Sequence, residues 1–178
     1  MLFRSESVGE RALGMGGAFV AVATDSSAGW WNPAALADGP FFDLSVGHAI
    51  DERDQQFPAA RDRSSGLSLS TPVVGASLYR FRLTDAGSPI EGSGGGRQVG
   101  EATRQVRSLA VSALGGTVVQ TLVSGTHVGA TLKYVRGTLR IGDGEGLSPA
   151  GALDRGAGLD GGRAEGHFDL DQIGRAHV

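Results

Sequence analysis

The sequence predicts a mainly β chain: the N-terminal fragment of a transmembrane antiparallel up-and-down β-barrel, with a short separate segment ahead of the strands. Three observations predict it. Beyond Phe41, apolar residues recur at every second position in several stretches, the period of a strand with one apolar face. The connections between those stretches alternate long and short. In an antiparallel meander this gathers the long loops at one end and the short turns at the other, as in outer-membrane barrels. Glycine supplies 30 of the 178 residues, well above the usual ~7%. It is interleaved with Val, Leu, Ala, Ser and Thr, in the manner of strands and turns rather than of a flexible linker. No apolar run approaches the roughly 18 residues of a membrane-spanning helix. A barrel strand needs only about 10 residues with every second one apolar, so it leaves little mark on hydropathy.

Residues 1–40 form the first unit. Arg11 to Ala23 is apolar but broken by Gly14, Gly16 and Gly17, which argue against a stable helix. Asp25-Ser26-Ser27 opens a short turn through Trp30, and Asn32-Pro33 opens another, with Asn as cap and Pro at the first helical position. Gly39-Pro40 ends it.

The strands follow over residues 41–172. Phe42, Leu44, Val46 and Ile50 mark the first, interrupted on its apolar face by His48. Asp51 to Arg63 is charged and reads as an exposed loop. Leu67 and Leu69 mark a second strand, Thr71-Pro72 a tight turn, and Val74, Ala76 and Leu78 a third strand running to about Leu83. Residues 84–100 read as a long loop. Leu109, Val111 and Ala113 mark a fourth strand extending toward Leu122, and Ser124-Gly125-Thr126 a turn. Val128, Ala130, Leu132 and Tyr134 form the cleanest alternation, a fifth strand. Residues 142–166 read as a Gly-rich loop, and Phe168 opens a strand that does not continue. About five strands cannot close a barrel, whose smallest known form has eight, so the chain reads as a fragment.

Composition excludes several functions. With 16 basic and 19 acidic residues, the chain lacks the electrostatic footprint of a nucleic-acid partner. It has no cysteine, hence no disulfide and no thiolate metal site. His48, His127, His167 and His177 show no metal spacing, and no nucleophile motif is present, so neither an enzyme, a cofactor nor a metal is expected. Gly14-Met15-Gly16-Gly17 with Asp38 imitates a dinucleotide turn. The preceding residues include Arg4, Glu6 and Glu10 and are no buried strand, and Phe19 stands where the third glycine belongs. A soluble β-rich protein with a Gly-rich cofactor loop is therefore the weaker alternative. Trp30 and Trp31 read as packing residues before they read as a ligand platform. Tyr79 and Tyr134 are candidates for an aromatic girdle. Arg53, Arg61 and Arg63 read as a solvated loop, with lipopolysaccharide contact as the functional alternative.

The stretch GERALGMGGAFVAVATDSSAGWWNPAALA, Gly9 to Ala37, resembles the N-terminal segment of the FadL-like outer-membrane channel superfamily, and especially its PorV-like branch. GATLKYVRG, Gly129 to Gly137, is similar to an internal strand of the same group. The resemblance implies that residues 1–40 are a hatch lying in the barrel lumen. Asn32, Pro33 and Ala34 would be its motif, Gly14, Gly16 and Gly17 its close-approach glycines, and Trp30 and Trp31 its aromatics. Val128, Ala130, Leu132 and Tyr134 would face lipid. The implied function is passive uptake of long-chain fatty acids or other hydrophobic small molecules across the bacterial outer membrane. The alternative is a PorV-like role beside secretion-system proteins. Members of the group are longer and carry a signal peptide that this chain lacks, which again points to a fragment. The final Ile-Gly-Arg-Ala-His-Val, residues 173–178, matches the translation of a common sequencing adapter and is expected to be read-through.

Overall fold

A computed structural model describes residues 8–15, 19–87, 105–123 and 125–176. Six strands form one antiparallel sheet in chain order. They are β1 (Asp43–Arg53), β2 (Ala59–Ser70), β3 (Val74–Ala86), β4 (Gln105–Val123), β5 (Thr126–Asp143) and β6 (Arg163–Ala176). Each strand pairs with its sequence neighbours, and the sheet is not closed into a barrel. The strand ends joined after β1, β3 and β5 lie at one end of the sheet and those joined after β2 and β4 at the other, but the connection 54–58 is five residues and not the long loop expected there. Among the described residues no helix is long and apolar enough to cross a membrane.

Three expectations about elements are corrected. Most of 51–63 is strand rather than loop: Asp51 pairs with Asp62, Glu52 with Arg61 and Arg53 with Ala60. Charge did not forbid a strand there because both faces of this end meet water, other charges or a helix. The strand begun at Phe168 does continue, and β6 runs along β5 from Leu139↔Arg163 to Thr126↔Ala176, so residues 173–176 belong to its backbone ladder. The loop 142–166 contains a helix, α3 (Pro149–Ala157), with α1 (Glu10–Gly14) and α2 (Ala28–Trp31) preceding it in the chain. Ser148 caps α3 by accepting from the Gly151 N–H at 3.1 Å, and Pro149 occupies its first position.

The two faces of the sheet differ. One carries a cross-strand row of Val46, Leu67, Leu78, Leu114, Tyr134 and Phe168, one residue from each strand. All six are 39–73% exposed. The next row holds Leu44, Leu69, Leu132 and Leu170, also exposed. Together the two rows leave on the order of 1,000 Å² of apolar surface open, beyond the roughly 300–600 Å² of the largest patch on a typical soluble monomer. This is the bare face. On the covered face, at the neighbouring positions, lie Ser68, Gly115, Thr117, Thr131 and Lys133, all buried. Over this half of the sheet the usual arrangement, apolar toward the core and polar toward solvent, is inverted, whereas toward the long-loop end Tyr79, Phe81 and Val111 are buried on the covered face and arginines line the bare one.

Strand β4 changes its apolar face partway. Leu109, Val111 and Ala113 belong to the covered face, whereas Leu114, Val118 and Leu122 are exposed on the other. At the long-loop end α3 sits on the bare-face side. Ala152 and Leu153 pack with Ala59, Ala86 and Val106, and Arg61 donates to Asp154 at 2.7 Å and to Glu52. Arg61 lies beyond the apolar rows, and its hydrogen bonds to Glu52 and then Asp154 raise its pKa, so it stays cationic. The expected solvated cluster of Arg53, Arg61 and Arg63 is therefore divided: Arg53 ends β1, Arg61 is buried, and Arg63 is half-buried.

Candidate functional site

The covered face is occupied by residues 8–40. Their own small core joins Ala12, Phe19, Ala23, Ala28, Ala35 and Leu36, to which the sheet adds Val119. Six apolar side chains within so short a stretch explain how it keeps a shape with only brief helices. The segment otherwise meets the sheet largely through polar atoms. Ser26 N–H donates to Asp43 Oδ2 at 2.6 Å, and Ser68 Oγ donates to Ser26 Oγ at 2.9 Å. Thr131 Oγ1 donates to the Gly29 carbonyl at 2.9 Å and lies 2.8 Å from Thr117 Oγ1. His127 Nε2 lies 3.6 Å from Asp38. These pairings offset the desolvation of the buried hydroxyls.

One apolar corner completes the contact. Trp30 meets Tyr79 edge-on at 5.4 Å and Phe81 at 6.2 Å, and Lys133 Nζ stands 4.4 Å from the centre of the Trp30 ring. Trp31 Nε1 donates to the Val8 carbonyl at 2.8 Å. Both tryptophans thus act as packing residues. Tyr79 is buried on the covered face, so it cannot share an outward girdle with Tyr134. Tyr134 remains exposed, against Phe168 at 5.0 Å.

The structure brings the Asn32-Pro33-Ala34 motif onto the fifth strand. Pro33 and Ala34 are buried in a 3-10 turn, Pro33–Asp38, directly over Gly129. A Cβ at Gly129 would stand 2.4 Å from Ala34 N and 2.5 Å from the Pro33 carbonyl carbon, so only glycine permits this approach. Asn32 does not cap the turn with its side chain, contrary to expectation. Its Nδ2 donates to the Val20 carbonyl at 3.2 Å instead. Gly14 is the last residue of the five-residue α1, in keeping with the absence of a long helix there, and no described atom stands within 4 Å of where its Cβ would be, so no close approach is seen at it. Gly16 and Gly17 lie outside the described residues. Val128, Ala130, Leu132 and Tyr134 share the bare face. Leu132 and Tyr134 are exposed, and Val128 and Ala130 are half-buried.

Beside the aromatic corner, toward the long-loop end, the covered face holds a depression of about 300 Å³. Leu109, Val111, Val135 and Leu139 line it, and Arg163, Glu165 and His167 of β6 rim it, with Arg163 paired to Glu165 at 2.9 Å. Leu109 and Val135 also pack against the cluster containing Trp30 and Phe81, so the pocket floor is continuous with the underside of the N-terminal segment. Sequence reasoning missed these residues. The signal was present in β4, where the apolar positions change from odd numbers to even at Ala113 and Leu114. An apolar site of this size with a polar rim suits an elongated hydrophobic molecule bearing a polar end. Among the described residues no group of three His, Asp or Glu side chains is placed to hold a metal.

These features define the class by architecture: an open up-and-down sheet with an exposed apolar band on one face and a compact N-terminal segment on the other. No protein-family model, curated protein or solved structure matches the chain.

Proposed function

We propose that this chain is the hatch-bearing part of an outer-membrane β-barrel that lets long-chain fatty acids or similar hydrophobic small molecules pass down their gradient. The observation that carries the reading is the inverted polarity of the sheet. Over the half nearer the short turns, large apolar side chains are open on the face away from the segment, and hydroxyls, Gly115, Gly129 and Lys133 are buried beneath it. Lipid is the solvent in which such a surface is stable. Outward positions of β4 from Leu114 to Leu122, with Gln120 among them, extend about 27 Å along the strand. That is about 20 Å of membrane depth at a tilt of about 40°, near the ~25 Å apolar band of such barrels. Closure on this reading uses strands beyond these six.

The pocket supplies the passage. Leu109, Val111, Val135 and Leu139 hold the alkyl chain, and its polar end lies at the rim of Arg163, Glu165 and His167. No bond is made or broken, so the residues only bind, orient and release. The test is uptake of labelled oleate by cells that lack their own channel and carry the full-length gene. Val135→Asp places a charge among the alkyl contacts and should lower uptake about tenfold. A heat-modifiable band should persist, because the position faces the lumen. Unchanged uptake in a folded variant overturns the transport role.

A further inference from the structure

Immediately beyond the apolar rows, on the same bare face, the sequence changes character. The row after Val46–Phe168 holds His48, Arg80 and Arg136, and the next holds Arg63 and Arg82. With Arg140 they line an open basin of about 490 Å³, spanning β1 to β5. Toward the long-loop end it is bounded by α3, whose Ala157 carbonyl accepts from Arg82 at 3.2 Å. Arg140 Nε donates to the Gly161 carbonyl at 2.7 Å. Each of these leaves further N–H donors in the guanidinium fork.

The five arginines meet almost no negative charge. Of the nearby carboxylates, Glu52 and Asp154 are already engaged by Arg61. Arg63, Arg80 and Arg136 have no ion pair or hydrogen bond among the described residues, and Arg63 Nε is buried without a partner. Five like charges around one basin repel each other, and the repulsion grows where solvent is excluded. Anions of high charge density relieve it, and the guanidinium fork matches phosphate two oxygens at a time.

We infer that this basin docks the phosphate groups of an anionic lipid whose acyl chains lie along the neighbouring apolar rows. The inference rests on the membrane reading above. Position selects the occupant. The basin is one two-residue step, about 7 Å, from the Val46–Phe168 row, so a molecule with phosphates at one end and hydrocarbon at the other covers both surfaces at once. A free phosphate ion covers only the first.

The experiment uses the full-length protein folded in zwitterionic detergent, with fluorescent diphosphoryl lipid A as probe. The competitors are the unlabelled lipid, its dephosphorylated form and inorganic phosphate. The expected result is displacement by the intact lipid at concentrations at least about tenfold lower than by either competitor. R80Q/R136Q should weaken binding about tenfold, and R80K/R136K should recover only part of it, since the charge survives but the two-oxygen fork does not. Equal displacement by the dephosphorylated lipid, or by inorganic phosphate, overturns the inference without any variant. A heat-modifiable wild-type band with no effect of R80Q/R136Q overturns it alone. Absence of that band in the wild type overturns the membrane reading and this inference together.

Discussion

At the scale of single residues, Gly129 decides how the N-terminal segment seats. Its missing side chain is the space filled by the Pro33–Ala34 peptide. Gly129→Val should cost about 1–3 kcal/mol through overpacking and speed proteolysis within residues 8–40. Gly116→Ala, on the bare face with nothing within 4 Å, should change neither. Equal behaviour of the two variants in denaturant titration and limited proteolysis would remove the argument from close approach. The partners at this scale were only partly legible. Pro33 at the start of a turn follows from its fixed φ and missing N–H. The Asn32 side chain escaped the same reasoning because its partner, the Val20 carbonyl, is supplied by the path of the chain and not by the local sequence.

At the scale of elements, β4 tests which solvent the bare face prefers. Leu114 is 57% exposed. In a water-facing sheet, Leu114→Arg would leave stability nearly unchanged and improve solubility. Facing lipid, it should destabilise the folded barrel in phospholipid vesicles by about 2–4 kcal/mol if the position lies near the midplane. Equilibrium urea unfolding monitored by tryptophan fluorescence distinguishes the two. The strands were readable where one face alone is apolar, as in Val128 to Tyr134. They were misread where both faces carry apolar groups: Leu109, Val111 and Ala113 took the eye while Leu114 and Val118 formed the other face. Helix α3 carried ordinary local signals, Ser148-Pro149 at its start and Gly158 at its end. Glycines around it masked them, one of which, Gly156, is needed for contact: a Cβ there would stand 2.5 Å from Thr84 and 2.7 Å from Val106.

At the scale of the molecule, the alternation of loop lengths was the most informative feature of the sequence, because it depends only on connectivity. The existence of β6 and the pairing of 51–53 with 60–62 were hidden by charge, which a strand tolerates once neither face is a core. The N-terminal segment keeps a small greasy interior of its own and meets the wall through alcohols and carbonyls on one side and the Trp30 cluster on the other. On the transport reading, a door built this way would swing as one piece and leave a jamb that is readily wetted. Its oily foothold, where Trp30 rests on Tyr79 and Phe81, is the natural pivot. In a protein without cysteine, S26C/S68C replaces two hydroxyls 2.9 Å apart with a covalent bolt between the segment and β2. Oxidised, the full-length protein should stop admitting oleate. Reduced, it should recover, and flow through the bolted form would mean that the door never needed to move.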